Sequence, residues 1–164
     1  KQLAKIDKEN SYYLYGDLNN INKFQFKNSH KNIHMHNYVP YKDIPNELKK
    51  MDILIMPYVS AVTVAGNVGD ITNFTSPLKL FDYLSSGKII ICSDLKVLKE
   101  VIKKDINAIF VKNYANVYSW KNEIQKLKYQ PHKQLIISKN NYKLSESYSL
   151  NRRAKRILEE IKFN

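Results

Sequence analysis

Cysteine is almost missing from this chain of 164 residues: the one thiol, Cys92, has no partner for an intramolecular disulfide, which fits a reducing compartment. Long apolar runs are missing too. A membrane-spanning helix needs about 18 to 20 consecutive apolar residues, and the runs here are short, as at Ile53–Met56 and Ile89–Cys92. Lys1–Asn10 is polar and charged, without the pattern of a signal peptide. Arginine is scarce: 24 of the 27 basic residues are Lys, and only Arg152, Arg153 and Arg156 are Arg. With Asn and Ile at 18 each, that balance suggests AT-rich coding, so part of the net charge of +12 reflects composition rather than function. A field of this sign still favours anionic partners such as nucleotides, nucleic acid or acidic lipid. An apolar share of 43% is too high for disorder. The expectation is one soluble, basic, cytoplasmic domain over residues 1–164. It begins inside a helical pattern and reads as part of a longer protein.

What is present is an alternation of short apolar strands and amphipathic helices. Leu3 and Ile6 read as the tail of a helix. Strands are expected at Tyr12–Tyr15, Ile33–His36, Ile53–Met56, Lys88–Cys92 and Ala108–Val111. Helices are expected weakly over Asn19–Lys27, then at Ile44–Lys50, about Pro77–Ser85, about Leu95–Lys103, and from Asn116 onward. Continuous apolar strands separated by helices indicate an α/β fold, a Rossmann-like parallel sheet with helices on both faces. Ligands of such sheets bind beyond the carboxyl ends of the strands. That directs attention to 16–19, 37–43, 58–79, 93–96 and 112–114, and above all to the long loop 58–75, which carries Gly66 and Gly69.

The segment Thr75-Ser76-Pro77-Leu78-Lys79-Leu80-Phe81-Asp82-Tyr83-Leu84-Ser85-Ser86-Gly87 has a chemistry of its own. Ser76 suits an N-cap and Pro77 the first helical position. Gly87 suits the left-handed position that ends a helix. Free N–H groups at Leu78 and Lys79, with the positive dipole end, would favour a phosphate, and the Lys79 ammonium adds a full charge. Asp82 lies three residues beyond Lys79 on the same face and could accept hydrogen bonds from a ribose diol. The plainer alternative is a well-capped surface helix with a Lys79–Asp82 pair.

Extended through Lys88-Ile89-Ile90-Ile91-Cys92-Ser93-Asp94-Leu95, this stretch resembles the donor-binding core of bacterial glycosyltransferase family 4 (glycosyl transferases group 1), enzymes of the GT-B class. Met51-Asp52-Ile53-Leu54-Ile55-Met56-Pro57 is similar to the strand that precedes that core, and Tyr148–Ala154 to the family's last helix. The resemblance implies the C-terminal, nucleotide-sugar-binding half of a GT-B enzyme involved in polysaccharide biosynthesis. The acceptor domain and the first strand of this domain would then lie before Lys1. It further implies that Asp82 holds the ribose hydroxyls and that Ser76, Leu78 and Lys79 meet the pyrophosphate. Tyr38 and Val39, with Asn37, would border the base, and Thr75 and Asp70 would face the donor. The family's first acid of the Glu-x7-Glu motif falls at Phe74, with Asp70 the candidate replacement, and the second is Asp82 rather than Glu.

By that resemblance the parent enzyme transfers a sugar from a nucleoside diphosphate donor, UDP favoured over GDP, to a glycan or lipid-linked acceptor with retention. The isolated domain would be inactive. No cofactor and no metal are expected beyond the donor itself, no catalytic residue is assigned, and nucleic acid is not an expected partner. The missing N-terminal domain is one, and peripheral contact with the inner face of a membrane is a further candidate. Two other readings compete: a non-catalytic basic module that binds nucleic acid or anionic membrane through Arg152-Arg153-Ala154-Lys155-Arg156, and a regulatory Rossmann-like domain with a decayed site. His34 and His36 share one strand face but lack a third ligand for a metal, and Cys92 reads as an inert buried thiol.

Overall fold

The computed structural model describes residues 1–18, 30–58 and 78–162. Among the described residues five strands form where apolar, β-branched and aromatic residues cluster: β1 Tyr12–Tyr15, β2 Ile33–His36, β3 Ile53–Met56, β4 Ile89–Ser93 and β5 Ala108–Val111. The helices are α1 Gln2–Ile6, α2 Ile44–Lys49 (entered through a 3-10 turn at Tyr41–Asp43), α3 Leu78–Ser85, α4 Lys96–Lys99, α5 Val117–Lys128, α6 Pro131–Ser147 and α7 Leu150–Lys162. All strand pairings among the described residues are parallel. The α/β class and Rossmann-like layering therefore stand as expected.

The described strands form two parallel sheets, β1–β2 and β3–β4–β5. The larger sheet is sandwiched. Ile90 and Cys92 of β4 pack with Leu80 and Leu84 of α3, Leu98 and Phe110 on one face. Ile89 and Ile91 pack with Trp120, Ile124 and Leu127 of α5 and Ile137 of α6 on the other. Strict alternation along β4 divides its side chains between these two cores. Cys92 has no exposed surface, and burial pushes its thiol up to about 12.

Local chemistry sets the helix ends. Gly87 adopts φ +65°, the left-handed geometry that favours glycine, and its N–H donates to Leu84 O at 3.0 Å. Asn116 caps α5, its side-chain oxygen accepting from the Tyr118 N–H at 2.9 Å. The helix expected over Leu95–Lys103 is shorter, Lys96–Lys99. Leu98 and Ile102 are both buried, so the apolar spacing continues past the helix. The backbone does not. Val101 and Ile102 N–H both close on Leu98 O, and Asp105 takes φ 59°. Asn107 Oδ1 then accepts from the Lys103 N–H at 3.1 Å, fixing the turn into β5. The fourth strand runs Ile89–Ser93, one residue later than expected.

A buried carboxylate joins α1 to β1. Asp7, 2% exposed, accepts from Tyr12 Oη and Asn10 Nδ2, each at 2.6 Å. Burial opposes its ionisation, but bonds from Tyr12, Asn10 and the Glu9 N–H outweigh that and hold the carboxyl below its ordinary value. Asn32 Nδ2 reaches Asp7 O at 2.8 Å and Asn10 O at 3.0 Å, tying in the approach to β2. At the other end of the chain, every residue of α7 from Leu150 to Ile161 is exposed, apolar and basic positions alike. No helix among the described residues is long and apolar enough to cross a membrane.

Candidate functional site

Parallel strands bring the loops after their carboxyl ends together, and a cleft of about 920 Å3 opens there and runs down between β1 and β3. Four of the sequence-expected residues line it: Tyr38 and Val39 from the loop after β2, and Lys79 and Asp82 from the first two turns of α3. Leu78 opens α3 and is strongly exposed, but does not line the cleft. Ser76, Thr75 and Asp70, expected at the pyrophosphate and the donor, lie outside the described residues, as does the weak helix over Asn19–Lys27.

The amphipathic pattern of α3 explains how Asp82 is presented. Leu80 and Leu84 are fully buried against the sheet. Rotation by about 100° per residue then leaves Lys79 and Asp82 on the solvent side of the helix. They form no ion pair with each other. Instead Tyr41 Oη donates to Asp82 Oδ1 at 3.3 Å, bridging the segment after β2 and α3. Asp82 thus keeps acceptor capacity beside a bridging phenol, and the Lys79 ammonium stands one turn nearer the helix start.

Four more residues belong to this wall, Tyr15, Glu47, Lys50 and Tyr83, and sequence reasoning missed their roles. Tyr15, last of β1, donates to Glu47 Oε2 at 2.9 Å, and Lys50 Nζ donates to Glu47 Oε1 at 2.6 Å. The bond from Lys50, followed by that from Tyr15, holds the Glu47 carboxyl below its usual range. Burial and then the Glu47 partner push the Tyr15 phenol up to about 12. Tyr83 also lines the cleft, its phenol pushed up by burial first and by nearby Tyr58 and Asp82 next. The position of Tyr15 at a strand's carboxyl end was the available signal. Nothing in the spacing marked Tyr41, whose partner is 41 residues away.

His34 and His36 do share a face, and their rings stack on Tyr13 and Tyr15 at centroid distances of 4.7 and 4.9 Å. No group of three His, Cys, Asp or Glu side chains gathers to hold a metal among the described residues.

The family model described as Glycosyl transferases group 1 matches residues 14–144, most of the chain and all of the cleft's α3 wall. The chain belongs to the glycosyl transferases group 1 family. Its fold is that of a GT-B glycosyltransferase domain. Among solved structures, Anabaena Alr3699/HepE in complex with UDP-glucose superimposes with a TM-score of 0.71 at 13% identity, covering 99% of this chain and 43% of that one. A glycosyltransferase from Rickettsia africae ESF-5 gives 0.71 at 18% identity, covering 98% and 41%. The C-terminal domain of the group 1 family protein LpcC from Francisella tularensis gives 0.55 at 12%, covering 91% and 92%. This group 1 family chain therefore spans less than half the length of the first two structures and nearly all of the third. No curated protein matches the sequence.

Proposed function

We propose that this group 1 glycosyltransferase domain binds a nucleoside diphosphate sugar, UDP-linked in preference to GDP-linked, in the cleft between α3 and the loop after β2. One observation carries the reading: Tyr38, Val39, Lys79 and Asp82, drawn from two segments far apart in sequence, line one cavity at the carboxyl ends of parallel strands. That the Anabaena relative was solved with UDP-glucose supports the choice of base. In this reading Tyr38 and Val39 border the base and Asp82 accepts from the ribose diol. Lys79 and the start of α3, with Leu78 and Ser76, meet the diphosphate, and Thr75 and Asp70 face the donor sugar.

The physical work of these groups is leaving-group stabilisation. As the glycosidic bond to the diphosphate breaks, negative charge grows on the departing oxygens. A fixed ammonium and a helix N-terminus placed there beforehand stabilise it without reorganising. The parent enzyme transfers the sugar with retention to a glycan or lipid-linked acceptor held by an N-terminal domain, in the cytoplasm or at the inner membrane face. The domain alone binds donor and transfers nothing.

Calorimetric titration with UDP and with GDP at low and high salt tests this. Saturable binding that prefers UDP, survives salt and disappears in Asp82→Ala is the expected result; equal weak binding to both nucleotides, unchanged in Asp82→Ala, overturns it. A second reading, contact of α7 with an anionic surface, is favoured by the exposure of Leu150, Ile157, Leu158 and Ile161 beside Arg152, Arg153 and Arg156. In the same experiment, binding to anionic vesicles that fades with salt would support it.

A further inference from the structure

Tyr41 and Asp82 meet at the cleft, and each is held there by its own backbone. Tyr41 opens the 3-10 turn that follows Pro40, and the Asp43 N–H closes that turn by donating to Pro40 O at 2.8 Å. Pro45 stands in the first turn of α2, directly after it. Two prolines of fixed φ thus bracket the turn that carries the phenol. Asp82 rides on α3, which fully buried Leu80 and Leu84 anchor to the sheet.

The hydrogen bonds around Asp82 leave a defined set of acceptors. Ser85 Oγ and the Ser86 N–H donate to Asp82 O at 2.8 and 3.1 Å, so they hold the backbone and not the carboxylate. Among the described residues the carboxylate has one hydrogen-bond donor, Tyr41 Oη, which meets Oδ1 at 3.3 Å. Oδ2 is left to accept. A phenol oxygen that donates its proton keeps acceptor capacity of its own. Tyr41 is 76% exposed, so that capacity is open to a ligand.

We propose that Tyr41 and Asp82 divide a ribose diol between them, one hydroxyl donating to Asp82 Oδ2 and its neighbour to Tyr41 Oη, so that Tyr41 selects ribose over deoxyribose. The inference rests on the donor-cleft reading and deepens it. Three features select a vicinal diol. Two neighbouring acceptors match two neighbouring hydroxyl donors. A phosphate brings only acceptors: it is repelled by the carboxylate and finds the phenol proton already committed to Oδ1. The charge on Asp82 also polarises the phenol, which strengthens Oη as an acceptor for the second hydroxyl. A nucleotide lacking either hydroxyl leaves one of these acceptors unmatched, and a site built to bond a hydroxyl discriminates on that ground.

Calorimetric titration with UDP, 2′-deoxy-UDP and 3′-deoxy-UDP, on the wild type and on Tyr41→Phe, tests this. The substitution keeps the ring and removes only the hydroxyl, and at so exposed a position Tm is expected to stay unchanged. The wild type is expected to bind UDP more tightly than either deoxy analogue. Tyr41→Phe is expected to weaken UDP about five- to tenfold. It should bind one deoxy analogue as the wild type does, since the hydroxyl missing there is the one that met the phenol. Equal weakening of all three nucleotides overturns the proposal, because the phenol would then serve only the loop. A wild type that selects the diol, with Tyr41→Phe selecting it equally, overturns this inference alone. A wild type that binds none of the three overturns the donor reading and this inference with it.

Discussion

The two sheets of this molecule are built from similar propensities and end up in different environments. Every residue of β4 and β5 is buried, whereas β1 alternates, with Tyr13 and Tyr15 44% and 39% exposed. The difference is coverage. Helices α3, α4, α5 and α6 enclose the larger sheet with two apolar cores, while the outer face of β1–β2 is held by a ladder of Tyr and His rings. A sheet closed on both faces is stabilised by packing volume; a sheet open on one face depends on cross-strand pairs and on the few polar ties at its ends.

Substitutions should separate these regimes. Ile90→Ala, at a fully buried β4 position, is expected to cost about 2–5 kcal/mol, visible as a large fall in Tm; a loss under 1 kcal/mol would show that the β4 core is not closed. Next in size is Asp7→Asn, which weakens the tie between α1 and β1 and is expected to cost about 1–3 kcal/mol at neutral pH. Its pH dependence has a definite sign. The Asp7 carboxyl sits below its ordinary value, so its stabilisation is fully present above an unfolded pKa of about 3.9. It is lost as pH falls through the folded value. Urea unfolding of the two proteins should differ by a constant amount above about pH 5 and converge in acid; a gap that widens in acid would contradict the assignment. The smallest effect belongs to the open face: Tyr13→Ala should cost about 0.2–1 kcal/mol, measured in the same denaturant series. A cost matching that of Ile90→Ala would erase the contrast between the sheets.

Strands were the most legible part of the fold. Tyr12–Tyr15, Ile33–His36, Ile53–Met56 and Ala108–Val111 are observed with the bounds expected for them, because short stretches of aromatic, aliphatic and β-branched residues between turn residues favour strand. Helix α4 was over-extended because burial of Ile102 keeps the apolar period alive through a turn whose backbone is set by Asn107 and Asp105. At the site, Lys79 and Asp82 were readable from helix periodicity, and Tyr38 and Val39 from their place after a strand. The bridge from Tyr41 to Asp82 and the bond from Tyr15 to Glu47 were not, since no local pattern reports which loop a distant side chain will meet.

By itself the sequence determined the elements, the α/β class and the composition of the α3 segment, all of which follow from propensity, period and capping within a few neighbouring residues. Only the tertiary structure decided that the strands divide between two sheets, that Lys79 and Asp82 do not pair, and that residues from α3 and from the loop after β2 share one cleft. Those outcomes depend on which surfaces the packed layers cover and which backbone edges they leave open, and neither can be computed from one segment at a time.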